Sequence, residues 1–93
     1  MSAHGAQYKH VTATGNALAS ACRLLSVVLT AGADAATVTI KDGSGGGTVV
    51  VVKAAANTTA SYRFVEGARL ISACHATLAG TSPVVTVEVE PLG

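Results

Sequence analysis

The sequence predicts an all-β chain: a single small antiparallel β-sandwich or barrel of about seven strands. Three observations lead there. Val, Ile and Thr recur along most of the length, and their stiff χ1 angles favour strands over helices. Turn-forming residues return at short, regular intervals. Between them, apolar and polar residues alternate with a period of two.

The first strand is expected at 8–14, where Tyr8, His10 and Val11 alternate with Lys9 and Thr12 before Thr14-Gly15-Asn16. The second, 19–30, ends at Ala31-Gly32-Ala33-Asp34. The third, 36–41, sets Ala36, Val38 and Ile40 on one face and Thr37, Thr39 and Lys41 on the other. The loop Asp42-Gly43-Ser44-Gly45-Gly46-Gly47 leads to a fourth at 48–54. Ala54-Ala55-Ala56 reads as a strand end and corner, because Asn57-Thr58-Thr59 follows at once. Strands five and six, 59–64 and 68–78, are separated by Glu66-Gly67. The last, 84–90, follows Ala79-Gly80-Thr81-Ser82-Pro83 and opposes Val85, Val87 and Val89 to Thr86, Glu88 and Glu90. Residues 1–7 lack any pattern and are expected to form an N-terminal arm that contacts a neighbour; 8–93 is one domain.

A chain of 93 residues buries about 60–70% of its unfolded surface, so its core is thin. This one has 18 alanines, 13 valines, one Phe and no Trp. A homo-oligomer is the natural remedy. Two runs break the alternation, Thr48–Lys53 and Leu24–Leu29, and look apolar on both faces. A strand of that kind is either central in its own sheet or covered by another chain. Candidate oligomer or shell contacts are therefore Val50 and Val52, Leu25 and Val27, and, where the arm joins the first strand, Tyr8 and His10.

Six basic and five acidic residues are scattered singly, for a net charge of +1. That argues against nucleic acid, which wants a basic stripe, and against a polybasic membrane patch. Mean hydropathy is +0.50, yet no run approaches the roughly 20 apolar residues of a membrane helix. Residues 1–10 hold no cationic region followed by an apolar one, so no secretory leader is expected and synthesis is placed in the cytoplasm. Cys22 and Cys74 are expected as free, buried thiols.

Groups for catalysis are few. Asp34 and Asp42 sit in turns, where Asp is common. Glu88 and Glu90 share a strand face and read as the solvated side of an edge strand. The glycine loop lacks the Lys, Ser/Thr and helix of a phosphate cradle and reads as a hairpin. Cys74 and His75, as strand neighbours, point apart, and with His4 and His10 they build no metal site. Tyr62 and Phe64 share one face as a core pair. No enzyme activity, cofactor or metal is expected.

The segment from Cys22 to Glu90 resembles the small all-β virion proteins of tailed bacteriophages. The likeness rests on Ala36-Thr37-Val38, Ile40 and Asp42-Gly43, then Lys53-Ala54-Ala55-Ala56, then Leu78-Ala79-Gly80-Thr81, Pro83 and Val85-Thr86-Val87. The resemblance implies a capsid decoration or cement protein, often a trimer, which binds the major capsid protein in the virion. It transfers no functional residues. The alternative is a tail, neck or fibre-associated sandwich that binds a protein partner or cell-surface carbohydrate, a role that usually calls for exposed aromatics.

Overall fold

The computed structural model describes residues 6–92 and forms eight strands rather than seven. They are β1 (Gln7–Val11), β2 (Gly15–Leu18), β3 (Cys22–Thr30), β4 (Ala36–Asp42), β5 (Thr48–Ala54), β6 (Thr59–Leu70), β7 (Cys74–Ala79) and β8 (Val84–Pro91). One sheet has the order β1-β8-β3-β6, the other β2-β7-β4-β5, and every pairing is antiparallel. Among the described residues only β4 and β5 form a hairpin within one sheet; every other connection crosses between the sheets. Eight strands in this order make a jelly roll, two interlocked Greek keys.

The alternation read from the sequence explains which faces meet. Val38 and Ile40 on β4, Val85, Val87 and Val89 on β8, and Leu24, Val27 and Leu29 on β3 have no exposed surface. Their polar neighbours Thr37, Thr39, Thr86 and Ser26 point outward. Full burial of a Val or Leu side chain contributes roughly 1.5–3 kcal/mol. With aromatic rings nearly absent, this layer of small branched side chains supplies most of the stability.

Four sequence expectations are corrected. First, Gly15-Asn16 is not a turn but the start of β2, which pairs Gly15 with Ala76 and Asn16 with His75. Four residues with one Leu are too short and too polar to show a period. Second, Glu66-Gly67 does not end a strand. β6 runs on along β3, with four residues, Phe64 to Gly67, standing opposite the single Leu25 between the Arg63–Ser26 and Ala68–Leu24 pairs. Gly67 has φ +80°, and a Cβ there would collide with the Cγ and Cδ of Arg23.

Third, the expected strand 68–78 is broken. Residues 68–70 close β6, residues 71–73 turn, and β7 opens at Cys74. No Gly or Pro marks that turn. It is held from a distance: Ile71 N and Ser72 N donate to the Asp42 carboxylate at 3.1 and 2.8 Å, and Gly43 N donates to Ala73 O at 3.0 Å. Fourth, Gln7, assigned to the arm, is already in β1 opposite Val89; the rest of that expectation, over residues 1–5, lies outside the described residues.

Two outcomes follow from this packing. Leu24→Ala, which empties a site with no exposed surface, is expected to cost about 2–5 kcal/mol in urea unfolding. The Ser72 and Ile71 amides hold the Asp42 carboxyl below its ordinary value. Its stabilisation is therefore complete above the unfolded carboxylate range near pH 4 and is lost as pH falls through the lower folded value. Asp42→Asn is expected to lower the unfolding midpoint at pH 7 and to flatten the acid limb of the stability profile.

Candidate interaction surface

Among the described residues there is no cavity and no cluster of three or more His, Cys, Asp or Glu side chains able to hold a metal ion. The surface most furnished with side-chain chemistry is the outward face of the β1-β8-β3-β6 sheet. Its registers lay residues out in rows. Tyr8, Glu88, Ser26 and Arg63 form one row across all four strands. His10, Thr86, Val28 and Ser61 form the next. On the other side of the first row, Glu90, Arg23 and Arg69 stand in line.

Glu88 is the one nearly buried charged side chain among the described residues. Its Oε1 accepts from Ser26 Oγ at 3.2 Å and from Arg63 Nη1 at 3.4 Å. β8 lies between β1 and β3. The edge-strand reading of Glu88 and Glu90 is thus corrected: both sit on an interior strand. The Arg63 side chain is 74% exposed, so the ion pair contributes about 0–1 kcal/mol. In the next row, His10 Nδ1 and Thr86 Oγ1 are 2.9 Å apart.

The candidate contacts divide. Val27 is wholly interior and Val52 nearly so. They are corrected to core residues of this chain, Val27 on the interior strand β3 and Val52 opposite Val38. Val50 faces inward opposite Ile40 but remains half-buried, because β5 is an edge. Leu25 is half-buried, with its Cδ2 beside Gly67. Tyr8 (68% exposed) and His10 stand on the outer face.

Sequence reasoning missed Val65 and Ile71, which are 99% and 72% exposed. Both lie where local signals failed, in the β6 bulge and the Asp42-held turn. Tyr62 and Phe64 do pair, edge to face with centroids 4.8 Å apart. They sit at the β6 margin, however, and leave Tyr62 half exposed.

The thiols are inert by position. Cys22 and Cys74 are both free and wholly buried. Burial, with the nearby Asp42 carboxylate, raises Cys22. Burial, with Cys22 beside it, pushes Cys74 up to about 12. His75 points away from Cys74, outward between Asn16 and Lys41, with its buried Nδ1 unpartnered.

Compared with family models, with curated proteins and with solved structures, the chain matches none.

At pH 8 a thiol at about 12 is thiolate in about one molecule in ten thousand. A disulfide reagent is expected to leave both cysteines unlabelled in the native chain and to label both in denaturant. Because the folded value of Cys74 is raised, its contribution is complete below about pH 9 and lost as pH rises through about 12.

Proposed function

We propose that this chain is a non-enzymatic structural protein of a virion, a decoration or cement protein that binds an assembled shell and stabilises it. The observation that carries the reading is the strand order β1-β8-β3-β6 over β2-β7-β4-β5, the jelly roll that recurs in viral capsid proteins. It is a fold-level analogy, joined to the resemblance of residues 22–90 to small phage virion proteins.

The surface fits such a role. Tyr8, Val51, Tyr62, Val65 and Ile71 expose apolar area, and a lattice of neighbours gives it somewhere to be buried. The mechanism is mass action. A protein that binds the assembled shell and not its separated subunits stabilises the shell by its own binding free energy. A closed homotrimer repeats each contact three times with one surface. Its partner is the major capsid protein, its location the virion.

Jelly rolls also serve as lectin domains. The half-exposed ring of Tyr62 favours a second reading, a tail, neck or fibre module that stacks a sugar.

Sedimentation at micromolar concentration is expected to give three times the chain mass of 9.1 kDa. Labelling of purified particles is expected to place the chain on the shell at regular lattice points. A stable monomer that labels only the tail, and whose binding to a glycan array disappears in Tyr62→Ala, supports the second reading instead.

A further inference from the structure

We infer that the free edge of β6 takes up an extended, acidic segment of a different protein as a fifth strand of its sheet. This names the chemistry of the contact and rests on the shell reading only for whose segment it is.

β6 ends the order β1-β8-β3-β6, so among the described residues its outer side has no strand neighbour. Such an edge presents a row of N–H and C=O groups to an incoming chain. The bulge from Phe64 to Gly67 limits the usable run to residues 59–63. Along it, Ser61 and Arg63 lie on the outer face opposite Val28 and Ser26, while Ala60 and Tyr62 lie on the inner face opposite Leu29 and Val27. An added strand would meet Arg63 with one set of side chains and Tyr62 with the other. It should alternate acid with apolar residue.

Charge chooses the partner. Arg63 lies on the usable run, and beyond the bulge Arg69 on β6 and Arg23 on β3 continue the same outer face, so the three arginines of the chain stand along one margin. Arg23 stands directly opposite Arg69, and like charges so placed repel. Among the described residues, the one ion pair of this group is Arg63 with Glu88. Glu90 lies on the far side of Arg23, and Glu66 lies in the bulge.

A second copy does not answer this. The other edges are β1 (Gln-Tyr-Lys-His-Val), β2 (Gly-Asn-Ala-Leu) and β5 (Thr-Val-Val-Val-Val-Lys-Ala), and none carries an acid. β6 against β6 over 59–63 would set Arg63 opposite Thr59 and offer it no acid. The backbone edge favours a peptide strand over a polyanion, which would use the charges and leave the N–H groups idle.

The test uses the full chain and two synthetic peptides of about nine residues, one alternating Glu with Val, the other Lys with Val. Amide hydrogen exchange and a fluorescence titration are the readouts. The Glu peptide is expected to bind at least about tenfold tighter, to slow exchange of amides within 59–63, and to lose its advantage at high salt. Arg69→Glu and Val65→Lys alter exposed side chains without touching the core. Arg69→Glu is expected to shift preference toward the Lys peptide, while Val65→Lys keeps the preference for Glu. Equal binding of both peptides, protection away from β6, or self-association through β6 without peptide overturns the inference. If the Glu peptide protects β6 but the chain is absent from particles, the shell reading falls and this one stands. If the chain decorates shells but the peptide leaves β6 unprotected, the reverse holds.

Discussion

The Asp42 carboxylate ties the two sheets together at one end of the sandwich. It stands at the end of β4 in one sheet and accepts from Ile71 N and Ser72 N, where the chain leaves the other sheet. Three residues, 71–73, carry the chain from β6 across to β7. A crossing so short leaves the Ile71 and Ser72 N–H groups without a ladder partner in either sheet, and a backbone donor takes an acceptor where one is within reach. The carboxylate supplies it. Cys74 then lies opposite Asp42, and Cys22 lies opposite Leu70, the last residue before the crossing. The burial of both thiols follows from where the crossing is fixed.

What the sequence disclosed, and what it hid, divides along the same line. The strands with strict alternation, Ala36 to Lys41 and Val84 to Glu90, could be read because each has one core face. The glycine loop was also legible as a hairpin, since Asp42 N and Gly47 O meet at its mouth at 3.1 Å. The crossing at 71–73 was not. Its acceptor is some 30 positions away in sequence, and no local residue signals it. Gly67 misled for the opposite reason. It does need positive φ, but to let Arg23 lie over it within a bulged strand, not to reverse the chain. β2 failed on length alone.

The surface shows a second effect of folding on a dispersed pattern. Charges scattered singly along the chain give no stripe, and the net balance stays near zero. Antiparallel pairing nevertheless brings Arg23, Arg63 and Arg69 together on β3 and β6 and puts Glu88 and Glu90 on β8. The same face thus has an acidic interior strand and a basic margin. The contact candidates drawn from apolar runs divided because a run says nothing about strand order. Val27 lies on interior β3, whereas Val50 lies on edge β5 and keeps some exposure.

The pairing of β1 with β8 carries a mechanical consequence. Gln7 at the start of β1 stands opposite Val89 near the end of β8, so the chain enters and leaves the sandwich at the same place. A pull applied between those two points does not shear the ladder, where many hydrogen bonds would share the load. It peels β1 from β8 one rung after another, from Gln7–Val89 toward Val11–Val85. The fold therefore yields easily to tension between its own ends. Force delivered through its faces or its β6 margin meets the whole packed core instead.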